Sequence, residues 1–420
     1  MKLTEQNGKV YIKNICFEDI AAQYGTPFYL YDLDTVKEKI NSVRSTFGVS
    51  IEILYAVKAN PNHELLRGIR NDIDGLDIAS KGEMEQALLA GYEAKHLSFA
   101  GPGKTREELS KAIELRIGVI SVESLRELQD IKAIAAEKNT KVDIAFRINP
   151  QLLTKEFAIK MGGKATQFGI DEEDIESAIN YVRQHHDIFN FIGIHIYAGT
   201  QCMSEEAIAR NIENTLGIAA KLKSQYGLEC QRINLGGGFG VSYYGEEKEL
   251  DLNLLAKFVK PLFANYRSST GTSPRFIFEL GRYLVADAGI YVTKVVSEKK
   301  SRGEQFYVLD GGMNHHLAAS GNLGAMIRKN YAVRNLSNPA APKELCNLVG
   351  PLCTPLDLMG KGVSIESPRL GDLIGFLNSG SYGFTGSPLL FLGHTTPCEL
   401  LFQNDIIAVA RKRRICADFS

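Results

Sequence analysis

Five short stretches of this chain carry side chains that could do chemistry together. Lys58 follows the apolar, β-prone run Ile51-Glu52-Ile53-Leu54-Tyr55-Ala56-Val57, and Asn60-Pro61-Asn62 then stops that run. Asp77 lies in GLDIAS, His195 and Tyr197 alternate in FIGIHIY, Gly236, Gly237 and Gly238 form the turn of NLGGGFG, and Glu279 precedes Gly281 and Arg282 in ELGRY. A lysine amine condenses with an aldehyde to a Schiff base once its environment lowers its pKa. Backbone N–H groups left bare by glycines suit a phosphate. A carboxylate can keep a pyridine nitrogen protonated, so that the ring accepts electrons. Pyridoxal 5′-phosphate makes all three demands. Each residue taken alone also has an ordinary use. Lys58 could snorkel to water, the glycines could merely supply positive φ, Glu279 could pair with Arg282 three residues on, and His195 and Tyr197 could be two wall-lining side chains.

Periodicity supplies the elements that must position these groups. Short β-rich runs alternate with amphipathic helical stretches from residue 50 to 283. The strands are expected at 51–57, 75–79, 97–100, 118–122, 142–148, 191–197, 232–236 and 275–280, with helices at 81–90, 105–115, 124–137, 172–183, 204–226 and 250–266. Eight strands alternating with helices satisfy a closed (β/α)8 barrel of the TIM type, in which ligands bind at the carboxyl ends of the strands. The singled-out residues all lie at those ends, as do Ser80, Arg147, Asn149 and the run Gly199-Thr200-Gln201. A doubly wound open sheet shares the rhythm. After about residue 284 short β-rich runs punctuated by Gly, Pro, Asn and Ser predict a mainly antiparallel β-domain. KVYIKN and FYLYD, too early for the barrel, are expected to add strands to it. The domain reading is therefore a barrel over 32–283, with 1–31 and 284–420 forming the β-domain.

The bulk numbers exclude several classes. A formal net charge of −1 points to neither nucleic acid nor an anionic membrane. The start MKLTEQNGKV lacks a signal-peptide core, and no apolar run reaches the length of a membrane span. Seven cysteines (Cys16, Cys202, Cys230, Cys346, Cys353, Cys398 and Cys416), odd in number and without CxxC spacing, argue against a disulfide framework or a zinc site. The expectation is a cytoplasmic globular protein with no metal.

YAVKAN, GLDIASKGE, FAGPGK, RINP, QFGI, NLGGGFG, ELGRY, GPLCTPLD and GSYG, in this order over about 350 residues, resemble the alanine-racemase-like, fold-type III pyridoxal-phosphate enzymes, in particular the diaminopimelate and ornithine decarboxylase group. The resemblance implies a barrel plus a β-domain. It makes Lys58 the Schiff-base lysine, Asp77 a supporting acid behind the ring, and Gly236–Gly238 with Gly281 and Arg282 the phosphate site. Tyr382 becomes a further cofactor contact, and Glu279 sits on the pyridine nitrogen. A racemase of this fold places arginine at that nitrogen. A carboxylate there suits a fully delocalised carbanion, so decarboxylation is favoured over racemisation. Cys353 matches the family cysteine that crosses from the partner subunit and handles protonation. That implies a homodimer with shared active sites, although a free cysteine is also an ordinary small buried side chain.

Three departures bear on substrate. Thr354 stands where family members acting on ornithine or diaminopimelate usually carry an acid. Burying an ammonium opposite a neutral hydroxyl would be costly. The position that stacks on the cofactor ring is the second of the strand-six pair, so Tyr197 takes it and His195 does not. FAIKMGGKATQFGI, DGGMNHH and the CTP after GPL resemble a specialised branch acting on amino acids masked at the far end. That branch includes glutamyl-carrier-protein decarboxylases and siderophore enzymes acting on citryl-diaminopropionate. The implied substrate is a small conjugated amino acid, with an acyl carrier protein as a partner in the first case. Arg328 and Tyr331 match distal-carboxylate contacts with spacing one residue short. His315, His316 and His394 either line a substrate channel or are solvated loop residues. The alternatives are a diaminopimelate decarboxylase, an amino-acid racemase and a non-catalytic cofactor-binding protein.

Overall fold

The computed structural model describes residues 1–152, 156–157, 159–244, 248–321 and 329–419. Eight parallel strands close on themselves. They are β1 (Ile51–Ala56), β2 (Gly75–Ile78), β3 (Leu97–Phe99), β4 (Val119–Val122), β5 (Val142–Asn149), β6 (Phe189–His195), β7 (Arg232–Gly237) and β8 (Arg275–Leu280). Each pairs with its sequence neighbours and β8 returns to β1, with Glu279 opposite Leu54 and Leu280 opposite Tyr55. The open-sheet alternative is thus excluded by the β8–β1 ladder. The strands are almost continuously buried, as expected where helices cover the outside and side chains fill the inside.

Side-chain caps begin the helices between them. Ser80 accepts from Glu83 N–H, Thr105 and Glu108 form a reciprocal capping box, and Ser124 accepts from Glu127 N–H. These caps start Lys81–Leu89, Arg106–Glu114 and Leu125–Glu137 within a residue of the sequence reading. The rhythm leaves out Leu33–Phe47, a helix ahead of β1 that buries Leu33, Val36, Ile40, Val43 and Phe47 at three- and four-residue spacing behind the cap of Asp32. Its helical period is clear, but it has no strand before it in the barrel series.

The second sheet contains Phe28–Asp32, Gly289–Ser301, Glu304–Leu309, Lys343–Val349, Leu358–Glu366, Cys398–Gln403 and Ile406–Arg411, with Val333–Asn335 and Leu373–Phe376 attached. Most pairings are antiparallel. Phe28–Asp32 with Cys398–Gln403, and Glu304–Leu309 with Lys343–Val349, are parallel. FYLYD joins this sheet, whereas KVYIKN does not. Leu3–Gln6, Lys9–Ile12 and Ile15–Cys16 make their own three-stranded antiparallel sheet. Val10, Ile12 and Phe17 bury it against Phe28, Leu30, Ile290 and Phe402 of the larger one. Side-chain packing and a backbone bond from Val10 N–H to Leu336 O at 3.0 Å attach this piece without a shared ladder. No described helix is long and apolar enough to cross a membrane, and the described residues contain no metal-binding cluster.

Candidate active site

β1 stops at Ala56, and one 3-10 turn, Val57–Ala59, presents Lys58. The lysine therefore lies just past the strand that the sequence assigns to it. Tyr55 OH donates to Asn60 O at 3.0 Å, and Asn60 Nδ2 donates to Gly380 O at 3.0 Å. These bonds bend the chain before a further strand residue can form. Lys58 Nζ lies 3.4 Å from Asp77 Oδ2 and 5.7 Å from the centre of the Tyr197 ring. Burial pulls the amine down, but Asp77, the Tyr197 and Tyr382 hydroxyls and Glu279 outweigh it, so its pKa stands above that of an ordinary lysine. A lowered amine is what reactivity alone suggests; the carboxylate at the bottom of the cleft reverses the sign. Asp77 is itself pushed up, by burial and then by Glu279, against the pull of Lys58.

Glu279 does not pair with Arg282. Its Oε2 lies 3.0 Å from His195 Nε2, and its Oε1 accepts from Asn234 Nδ2. Burial alone would raise this carboxyl, yet His195 first, then Lys58 and Asn234, hold it well below the usual range. His195 Nδ1 in turn meets Ser121 Oγ at 3.2 Å, and Asn234 Oδ1 accepts from Gly236 N–H at 3.0 Å. All four side chains are nearly sealed from solvent. Arg282 takes a different course. Its Nη1 donates to Tyr243 OH at 3.0 Å, and its guanidinium stacks 4.7 Å from the Tyr382 ring. Asn234, Ser121 and Tyr243 were not singled out by sequence reasoning. The signal that could have found the first two is a polar residue inside a strand that is otherwise apolar and buried.

The glycine run turns because it must. Gly236 and Gly238 have φ of 66° and 79°, and a Cβ on them would fall 2.6 Å from Ile196 O and 2.1 Å from Gly199 O. Gly237 lies opposite Glu279 in the β7–β8 ladder, where a Cβ would fall 1.9 Å from Glu279 O. The turn thus brings bare backbone up to the cleft. Gly236 keeps its N–H for Asn234. Lys58, Asp77, Tyr197, Glu279, Arg282 and Tyr382 line one cleft, with Gly238 and Gly281 in its wall.

Residues 33–286 match the pyridoxal binding domain of pyridoxal-dependent decarboxylases. The chain belongs to that family. It is 39% identical over 403 residues to the L-glutamyl-[BtrI acyl-carrier protein] decarboxylase of Niallia circulans, across 95% of this chain and 94% of that one. It is 31% identical over 399 residues to the diaminopimelate decarboxylase of Campylobacter jejuni, across 94% and 96%. The solved structure of diaminopimelate decarboxylase from M. jannaschii has a TM-score of 0.90 with it at 27% identity, over 99% of this chain and 96% of that one. This decarboxylase is accordingly a pyridoxal-phosphate-dependent carboxy-lyase.

Its cleft fits the cofactor. One amine, one buried acid with an oxygen (Asp77 Oδ1) lacking a protein partner, a second acid held ionised and a glycine cradle meet there. The remaining sequence candidates, apart from Tyr197 in this cleft, fall elsewhere. Tyr197 follows β6 rather than continuing it, because the strand ends at His195. Cys353 is exposed on its own chain, outside the cleft. Thr354, partly exposed beside it, accepts from Leu356 N–H at 3.3 Å. Tyr331 is buried one ring away from Arg282, 4.9 Å from the ring of Tyr243. Arg328 lies outside the described residues. His315 and His316 are 1% and 0% exposed, so they are neither channel-lining nor solvated. Their rings fill an aromatic cluster with Tyr29, Tyr291 and Tyr331. His394 is half-buried, in extended backbone just after the 3-10 turn Phe391–Gly393.

Proposed function

We propose that this decarboxylase removes the α-carboxylate of an L-amino acid whose far end is masked by a conjugate, of the glutamyl-carrier-protein type. The observation that carries this reading is Thr354. A hydroxyl whose oxygen is already engaged with the backbone of its own turn offers no charge to a distal ammonium. The relative from Niallia circulans, named for a glutamyl group on an acyl carrier protein, supports it. A free diamino acid remains the second reading, because relatives named diaminopimelate decarboxylase match over nearly the whole chain.

Pyridoxal phosphate, when bound, supplies an aldehyde carbon for amine exchange and a ring that takes up the electron pair left by carbon dioxide. The chain's residues divide the remaining tasks. Lys58 would hold the cofactor through its aldehyde. Glu279, as an anion, would keep a proton on the ring nitrogen. Asp77 supports the cofactor from behind while neutralising Lys58. Tyr197 offers an aromatic face with no titration near neutrality. Gly237, Gly238 and Gly281 give the phosphate bare backbone, Gly236 gives the turn its shape, and Arg282, fixed between Tyr243 and Tyr382, supplies the cation.

In this reading Cys353 serves a neighbouring site. An exposed thiol beside Thr354, outside its own chain's cleft, supports a role as proton donor to the substrate's α-carbon across a homodimer. Tyr331 and Arg328 act at the distal end of the substrate, and the enzyme works in the cytoplasm. Mass spectrometry for loss of carbon dioxide tests the substrate. Glutamyl-loaded carrier protein and citryl-diaminopropionate are compared with free diaminopimelate, ornithine, lysine and glutamate. Turnover of a conjugate alone supports the proposal, and rapid turnover of free diaminopimelate overturns it.

A further inference from the structure

We infer that Asn234 is a positioning residue that selects the ionised form of Glu279 and ties it to the phosphate turn. The side chain spans two groups that any bound cofactor must satisfy at once. Its Oδ1 accepts from the N–H of Gly236 at 3.0 Å, and its Nδ2 donates to Glu279 Oε1. It is 2% exposed, on β7, two residues before Gly236. The amide orientation follows from chemistry, because the flipped form would set an oxygen against a carboxylate and an NH2 against an N–H. A primary amide accepts from the backbone and donates to the acid from this position without carrying a charge or a proton that titrates.

The consequence concerns charge. Glu279 has one oxygen 3.0 Å from His195 Nε2, a contact that is not an aligned hydrogen bond, and the other accepting from Asn234, so among the described residues the amide is the donor that holds this carboxylate in a nearly solvent-free place. An aspartate at 234 would keep the bond from Gly236 N–H but set a second carboxylate against Glu279. Like charges at that distance cannot both stay ionised, so the pair would share a proton. Asn234 thereby makes the anion, rather than the neutral acid, the resting form of Glu279, and it fixes how far that anion lies from the phosphate turn.

This inference rests on the reading that Glu279 faces the ring nitrogen, and the experiment separates the two. Cofactor labelled with nitrogen-15 in the ring is bound to the wild-type enzyme and to Asn234→Asp, Asn234→Ala and Glu279→Gln variants. The ring-nitrogen chemical shift is followed from pH 6 to 9 (about the usual working range), alongside cofactor retention and turnover. Asn234→Asp should give a nitrogen that titrates or is unprotonated, where wild type stays protonated. Turnover should fall roughly 10- to 100-fold, the scale of losing a partner that orients a reacting ligand. In the Glu279→Gln background the same change should add little. If Asn234→Asp leaves the shift and pH profile at wild-type values while Glu279→Gln changes them, the inference about Asn234 is wrong. If Glu279→Gln leaves the nitrogen unchanged, the assignment of Glu279 itself fails. Asn234→Ala guards against a purely structural effect: it should weaken cofactor retention without introducing a new titration, and a new titration there would overturn the charge argument.

Discussion

Tyr382 donates its backbone N–H to the carbonyl of Ala59 at 2.8 Å, so the residue next to Lys58 is fastened to a turn of the second domain. Tyr382 itself sits at φ 53°, a left-handed conformation that tyrosine rarely adopts, and it presents its ring to Arg282. One turn therefore positions the lysine loop and the guanidinium together. Asn60, buried and bonded to Gly380 O, is the side-chain half of the same clasp. Asn60→Ala should cost about 1–3 kcal/mol through the unpaired carbonyl. It should also speed cofactor release. Denaturant unfolding and the decay of cofactor absorbance after dilution check the two effects.

The glycine turn offers a sharper test. Gly238→Ala would force a positive φ on alanine and set its Cβ 2.1 Å from Gly199 O, which is backbone and cannot swing away. The φ alone costs about 1–2 kcal/mol, and the clash adds displacement of the turn. The variant should fold with a lowered melting temperature and retain little cofactor. A protein as yellow as wild type would show that the turn is not the phosphate site.

Acid should weaken the fold through His316. Its Nδ1 accepts from Ala319 N–H at 3.3 Å, its Nε2 meets Ser379 Oγ at 2.9 Å, and burial pushes its pKa down to about 3 from 6.5. Between those values the unfolded chain holds a proton that the folded chain does not. Stability is thus full above about pH 6.5 and falls as pH drops toward 3. From about pH 7.5 to 5 the loss should be about 2 kcal/mol. His315, held down to about 4 by burial, acts in the same direction. Urea unfolding of His316→Gln should show a smaller difference between the two pH values than wild type, whatever its absolute stability.

Cys353 should report assembly. It is exposed on a single chain, so iodoacetamide should label it quickly at concentrations where the protein sediments as a monomer and slowly where it sediments as a dimer. Cys353→Ala should keep the cofactor spectrum and lose turnover by about 100-fold, or release an altered product, as expected of a lost proton donor. Unchanged labelling on dimerisation, with unchanged turnover and products in the variant, would remove it from the mechanism.

Local rules made much of this decarboxylase legible. Buried β-runs, serine, threonine and aspartate caps and apolar spacing depend on nearest neighbours, so the eight strands and most helices between them were readable to within a few residues. Lys58, Asp77, Glu279 and the glycines could be singled out because an amine, an acid or a glycine run is conspicuous at the end of a β-rich run. Their combined chemistry pointed to one cofactor, and a motif order shared with known enzymes agreed.

Partnership was not legible. Glu279 has Arg282 three residues away and chooses His195, 84 positions earlier, because β6, β7 and β8 are adjacent in the closed barrel while Arg282 is drawn off to Tyr243 and Tyr382. His315 and His316 read from sequence as either channel-lining or solvated, yet the second sheet folds tyrosines over them. Asn234 is one letter in an apolar strand until the ladder sets Gly237 opposite Glu279. The sequence by itself determined which groups are present and which elements carry them. Only the tertiary structure decided which of them touch, because hydrogen bonds and ion pairs act over a few ångströms and strand pairing, not sequence distance, sets those ångströms.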